Sequence, residues 1–200
     1  MRLPNPPQRY PEPWSSMPRI LIIAGEASGD LHGAHLAKAI AAQDASAQMV
    51  GIGGPGMRAA GVTMIPGVPQ LDLVGLVGLS AVRAIIQRVL AVRRVLKAEP
   101  WDLVVFIDNP GLNMRLARMA KAAGRRVLYY IAPQIWAWRP GRMKWIQERV
   151  DHVVVILPFE PDLYRRAGVR CTFVGHPLLD SVAPEYDRNA LRRRYNLEDS

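Results

Sequence analysis

The stretch RILIIAGEASGDLHG, Arg19 to Gly33, constrains this chain more than any other. Ile20 to Ala24 is an apolar run without alternation, the mark of a strand buried on both faces of a parallel sheet. Gly25 and Gly29 then permit backbone conformations and close approaches that a Cβ blocks. Ser28 and Asp30 are both favourable helix N-caps, so a helix is expected to start here and to run through Lys38 and Ile40. A strand, a glycine turn and a helix N-terminus make either a ligand site above the sheet or a plain structural turn. The stretch is no Walker loop, because no Gly-Lys-Ser/Thr follows, and it lacks the G-x-G-x-x-G spacing of dinucleotide-binding turns. Glu26 and Asp30 make the turn acidic, which disfavours a phosphate and favours hydrogen bonds to sugar hydroxyls.

Comparable strand ends follow. Gln48 to Ile52 reads as a second strand, closed by GIGGPGM at Gly51 to Met57, whose backbone N–H groups form an anion nest or simply a bend. Asp102 to Ile107 reads as a buried strand that delivers Asp108 at its end. Asn109, Pro110 and Gly111 stop it, and Asn113 is placed to begin a helix. A carboxylate there lies beside the ligand crevice of an open α/β sheet, as a general base or as a helix cap that binds nothing. Arg125 to Ile131 is another strand, followed by APQIWAWRPGRMKW. Trp136, Trp138 and Trp145, interleaved with Arg139, Arg142 and Lys144, suit stacking on sugars, acyl chains or bases, with at least one tryptophan expected in the core. Asp151 to Leu157 and Thr172 to Gly175 are the remaining strands. The second ends in Gly175-His176-Pro177, where the imidazole touches a ligand or fixes the turn.

Val68 to Leu79, VPQLDLVGLVGL, is apolar without a period and is broken by Gly75 and Gly78. Ser80 to Glu99 has a helical period, with Val82, Ile85, Ile86, Val89 and Val92 as its apolar face. Arg83, Arg93, Arg94 and Lys97 fall within roughly a third of the circumference. An apolar loop beside a basic helix suits an anionic bilayer surface; the alternative is a sheet-covering helix with a solvated basic side. The formal net charge of +9 also calls for an acidic partner. With half of its 200 residues apolar, the chain can bury one substantial core. No apolar run approaches the roughly 18 residues that span a bilayer, and the beginning has no signal-peptide pattern. Residues 1–18 hold six prolines and are expected to form a disordered tail, with Met17 a candidate start. Cys171, the single cysteine, leaves no intramolecular disulfide and fits a reducing compartment. The four histidines show no metal-ligand spacing: His32 and His35 share a helix face without a third ligand. No nucleophile elbow supports acyl transfer.

Six blocks then carry a resemblance: GEASGD (25–30), GIGGPGM (51–57), FIDNPGLN (106–113), YYIAPQIWAWRPGRM (129–143), LPFEPDLY (157–164) and FVGHPLLD (173–180). Their order from about Arg19 to Asp180 resembles the lipid-A-disaccharide synthases, family 19 glycosyltransferases, with APQIWAWR the most specific block. The resemblance implies the N-terminal half of a GT-B enzyme: a Rossmann-like parallel sheet with helices on both faces. It implies a metal-independent inverting transfer that joins UDP-2,3-diacylglucosamine to 2,3-diacylglucosamine 1-phosphate and releases UDP, a substrate product rather than a cofactor. Carried over by position, Asp108 deprotonates the acceptor's 6-hydroxyl. Glu26, Ser28, Gly29, Asp30 and Asn113 bind acceptor, Asn113 also holding the loop, and Trp136, Trp138, Arg139 and His176 are possible cleft residues. Leu73, Val74, Leu76, Val77 and Leu79 with Arg83, Arg93 and Arg94 match the segment that approaches the inner membrane, implying a cytoplasmic, peripherally associated enzyme.

Two motifs depart from the family pattern. Gly78 stands where the family's apolar loop has glutamate, and Gly111 with Leu112 stands where it has an acid and an aromatic residue. The expected organisation is a tail (1–18), an acceptor and membrane domain (19–181) and the start of a linker or helix (182–200), with a UDP-binding domain supplied in cis or in trans. The 200 residues alone are expected to bind acceptor and to transfer nothing. The competing reading is a non-catalytic lipid- or sugar-binding module with the same fold. Nucleic-acid binding has less support, because the basic residues are spread over several elements and no recognised module is present.

Overall fold

The computed structural model describes residues 17–68, 79–134, 141, 143–182, 186–195 and 197. Within them, seven strands form one parallel sheet: β1 (Arg19–Ala24), β2 (Gln48–Ile52), β3 (Thr63–Met64), β4 (Leu103–Ile107), β5 (Val127–Tyr130), β6 (His152–Val155) and β7 (Cys171–Phe173). The helices are α1 (Ala27–Gln43), α2 (Pro55–Ala59), α3 (Leu79–Ala98), α4 (Pro110–Ala122), α5 (Met143–Arg149), α6 (Glu160–Arg166) and α7 (Arg188–Arg194). A 3-10 turn spans Pro177–Ser181.

The apolar runs lack alternation because both faces of the sheet are covered. In β1, Leu21 and Ile23 belong to the core under α3, α4 and α5, whereas Ile20, Ile22 and Ala24 belong to the core under α1 and α2. β4 repeats the pattern, with Val104 and Phe106 on the first side and Val105 and Ile107 on the other. Helix α1 lies close to the sheet through Gly29, Gly33 and Ala37, all buried at helical spacing. A Cβ on Gly33 would stand 2.6 Å from Met57 Sδ and 3.2 Å from Ile107 Cδ1, so that approach requires glycine.

The strand order is β3-β2-β1-β4-β5-β6-β7. The chain runs outward from β1 to β3 and returns to place β4 on the other side of β1. The carboxyl ends of β1 and β4 therefore flank the reversal in strand order, where open parallel sheets form their ligand crevice.

Several local expectations are corrected. Helix α1 starts at Ala27 with Glu26 at its N-cap, so Ser28 and Asp30 lie inside the first turn rather than capping it. The glycine-rich turn after β2 contains α2, whose Pro55 occupies the first helical turn, where a missing N–H costs nothing. The seven-residue helices α5 and α6 are too short to display a period, and the two-residue β3 is too short to alternate. The proline-rich residues before Ser16, the loop residues Leu73, Val74, Leu76 and Val77, and Trp136, Trp138 and Arg139 lie outside the described residues.

Candidate active site

Ala24 pairs in register with Ile107, so Gly25 and Asp108 leave the sheet side by side. The two turns touch: a Cβ on Gly25 would stand 2.5 Å from Asn109 Cβ, and only glycine fits. Glu26 is half-buried and Ser28 exposed on the β1 side of this junction, while Gly29 is buried against Ala24. The acidic turn and the lone carboxylate, 80 residues apart in sequence, thus share one edge of the sheet.

The β4 turn is strained. Asp108 has φ 47° and Asn109 φ 41°, left-handed conformations that cost a non-glycine residue of order 1–3 kcal/mol and cluster at functional sites. Three donors hold it. Asn113 Nδ2 donates to the carbonyls of Ile107 (3.0 Å) and Asp108 (2.8 Å), and the Tyr129 hydroxyl donates to the Asp108 carbonyl (2.6 Å). Burial, and then the neighbouring Asp108 charge, hold the Tyr129 phenol well above its usual range, so it stays protonated as the donor. Asn113 is 1% exposed, which corrects its expected place among acceptor-binding residues: its amide fixes the turn from beneath.

Asp30 is corrected as well. Its Oδ1 accepts from Gly54 N (2.7 Å) and Met57 N (2.9 Å), and its Oδ2 accepts from Gly56 N (2.9 Å). The nest of N–H groups after β2 therefore does hold an anion, and that anion is the chain's own carboxylate, capping α2 from α1. The expected anion site is filled by this link.

The carboxyl end of β5 carries the third non-glycine residue with positive φ, Ile131 at 62°. A β-branched side chain resists that conformation, and the segment it opens is anchored by neighbours. Ala132 N donates to Val154 O (3.1 Å), and Tyr164 OH donates to Pro133 O (3.0 Å). Glu160 is 1% exposed and accepts from Ile156 N (3.1 Å) and Leu157 N (2.9 Å), which closes the turn that carries Tyr164. The LPFEPDLY block is thus the support of the residues that begin APQIW.

His176 is placed to fix the turn. Its Nδ1 accepts from Leu178 N (3.3 Å) at the head of the 3-10 turn, and its charge is felt at His32 on α1. His32 is nine-tenths buried, and its Nδ1 has no hydrogen-bond partner among the described residues. Burial foremost, then His176 and His35, push its pKa down, against an opposing pull from Asp108. The charges of His176, His35 and Asp108 are thus all felt at His32. Among the described residues no cluster of three His, Cys, Asp or Glu is arranged to hold a metal ion.

Helix α3 differs from its expected shape. Val92 and Leu96 are buried, with Ile85, Val89 and Val95 packed beside them, but Val82, Ile86 and Leu90 are each about half exposed. These three form an outward apolar stripe at i, i+4, i+8, accompanied by exposed Arg83, Arg93 and Arg94. Arg88, which the sequence reading did not single out, is 3% exposed, and burial depresses its pKa to about 10. Leu79 is the first residue of α3. Trp145 lies with Arg149 4.8 Å over its ring in a groove of about 640 Å³ between α4 and α5, lined from Pro110 and Gly111 at the β4 turn to Ala122. Of the site's supports, Asn109 was read in the sequence only as a strand stop, and Tyr129 and Ile131 only as residues of a strand.

A parallel sheet with helices on both faces, and side chains converging at its strand-order reversal, define a Rossmann-like domain of the kind that builds GT-B glycosyltransferases. A solved glycosyltransferase from Rickettsia africae shares the fold, with TM-score 0.52 and 11% identity, covering 92% of this chain and 50% of that one. The family model for Lipid-A-disaccharide synthetase matches residues 20–200, and the chain belongs to that family. The lipid-A-disaccharide synthase of Geobacter metallireducens is 46% identical over 183 residues, and that of Coxiella burnetii is 46% identical over 180. These alignments cover 91% and 90% of this chain and 48% of each relative, so the chain spans about half the length of the curated relatives it matches.

Proposed function

We propose that this chain is the acceptor-binding half of a lipid-A-disaccharide synthase, which transfers 2,3-diacylglucosamine from its UDP derivative to 2,3-diacylglucosamine 1-phosphate. Asp108 is the general base. It takes the proton from the acceptor hydroxyl as that oxygen attacks the donor's anomeric carbon and the bond to UDP breaks. Glu26 and Ser28 offer hydrogen bonds to the acceptor sugar on the β1 side. The observation that carries this reading is the strained turn that holds Asp108 beside Gly25 at the strand-order reversal. Strain maintained by three hydrogen bonds from Asn113 and Tyr129 fixes the position of one carboxylate, as a base aimed at a bound hydroxyl requires. Charge building up on the leaving UDP needs cations or dipoles, and the reading assigns these to the half of the relatives that this chain does not span.

The same reading places α3 against an anionic inner-membrane surface. The stripe Val82, Ile86 and Leu90 between arginines is apolar area with no part in the core, matched to substrates that are acylated anions. Among the described residues no helix is long and apolar enough to cross a membrane.

The test is a transfer assay of this chain combined with a segment corresponding to the rest of its relatives, with both sugar substrates supplied. UDP release that requires acceptor, and that falls about 10²- to 10⁴-fold in Asp108→Ala, is the expected result. An unchanged rate in a folded Asp108→Ala protein removes the base assignment. Turnover by the 200 residues alone removes the division of labour.

A further inference from the structure

We propose that the groove between α4 and α5 holds the acceptor: Arg115 and Arg118 take its phosphate, and the apolar floor beside them takes one of its acyl chains. The inference rests on the reading of Asp108 as a base acting on an acylated sugar phosphate, and it says where the rest of that molecule lies. The groove begins at Pro110 and Gly111, directly beyond the Asp108 turn, and follows α4 to Ala122. Its mouth is open, since a Cβ on Gly111 would meet only Asn109 Oδ1, at 3.8 Å. Arginine, methionine and tryptophan dominate its lining, which among the described residues includes no carboxylate.

The arginines differ in what already occupies them. Arg149 is engaged: its guanidinium lies 4.8 Å over the Trp145 ring, and its Nη1 donates to Met114 O (3.3 Å), which braces α5 against α4. Arg115 and Arg118 are exposed and form no ion pair among the described residues. At i and i+3 on one helix they are neighbours, so both guanidinium groups reach the same anion. Cations gathered without an acid of their own are complementary to phosphate, which guanidinium groups bind through paired N–H donors. Met114 is buried, Met119 half-buried and Trp145 41% exposed, and together they offer an apolar floor that a phosphate alone does not use. From Gly111 to Arg115 the helix rises about 6 Å, room for one sugar ring between a hydroxyl at Asp108 and a phosphate at Arg115. From Gly111 to Ala122 it rises about 17 Å, close to half of the ~30 Å hydrocarbon core of a bilayer, which is the reach of one acyl chain. A free phosphate leaves the floor empty and an uncharged lipid leaves the arginines without an anion; the acylated sugar phosphate engages both.

The experiment measures binding and transfer separately. Calorimetry follows 2,3-diacylglucosamine 1-phosphate in neutral detergent binding to wild type, to the double variant Arg115→Gln with Arg118→Gln, and to Ala122→Trp, which fills the far end of the groove. Arg115, Arg118 and Ala122 are exposed, so these variants keep the fold. The double variant is expected to bind about tenfold or more weakly, and to bind the dephosphorylated lipid as wild type does. Ala122→Trp is expected to weaken the long-chain acceptor and to spare one with short acyl chains. In the combined enzyme the double variant should raise the acceptor KM about tenfold while the donor KM stays the same. Unchanged acceptor affinity and KM in the double variant overturn the inference and leave the base assignment standing. A loss confined to anionic vesicles without acceptor also overturns it, and assigns the arginines to a membrane surface. An Ala122→Trp protein indifferent to acyl length overturns the placement of the chain. If Asp108→Asn leaves transfer unchanged while the double variant loses the acceptor, the base assignment fails and the groove stands.

Discussion

Asn113 shows how much of this site is decided beneath its surface. Its amide bridges two consecutive backbone carbonyls that a left-handed turn has pulled out of the β4 ladder. Asn113→Ala removes the side-chain donor to the buried Ile107 carbonyl and leaves the Asp108 carbonyl with Tyr129 alone, and we expect a loss of about 1–3 kcal/mol, measured by urea unfolding. Tyr129→Phe removes one bond to the same turn and should cost about 1 kcal/mol. pH acts at this scale too. A histidine held below its ordinary pKa in the folded state gains a proton on unfolding, so its contribution to stability is complete above roughly pH 6.5 and declines as pH falls below that value. His152, paired with Thr172 at the opposite edge of the sheet and also depressed by burial, adds to the same trend. The unfolding free energy should therefore fall from pH 7.5 to pH 5.5 in wild type, and less steeply in His32→Gln.

Helices α1 and α3 meet the sheet in opposite ways, and substitutions should report it. Gly33→Ala drives a methyl into Met57 and Ile107 and is expected to cost about 1–3 kcal/mol. On α3, Leu96→Ala empties a core position and should cost about 2–5 kcal/mol, whereas Leu90→Ala, half exposed, should change stability by less than about 0.5 kcal/mol. Leu90→Glu should leave the fold intact and weaken sedimentation with anionic vesicles. Most elements were legible because long apolar runs such as LVVFI demand burial on both faces. The outward stripe of α3 was not, because Val82, Ile86 and Leu90 carry the same hydrophobicity as the residues facing the core, and only docking decides which row is covered. Ser28 and Asp30 were misplaced as caps because either residue type suits a cap, and the partner that engages Asp30 lies 24 to 27 residues away.

For the whole molecule, the net charge of +9 predicts that binding to vesicles containing anionic lipid weakens steeply between 50 and 300 mM salt, an expectation of about tenfold or more, while neutral vesicles bind weakly throughout. The pairing of Asp108 with the Gly25 turn was legible as two strand ends of one parallel sheet. The positive φ at Asp108, Asn109 and Ile131 was not: Asp and Asn tolerate that conformation in many turns without requiring it, and Ile disfavours it. The link from Asp30 to the loop before α2 has its own consequence. A seat filled by a tethered occupant admits no visitor, and inorganic phosphate in the surrounding solution meets a loop whose donors are already engaged.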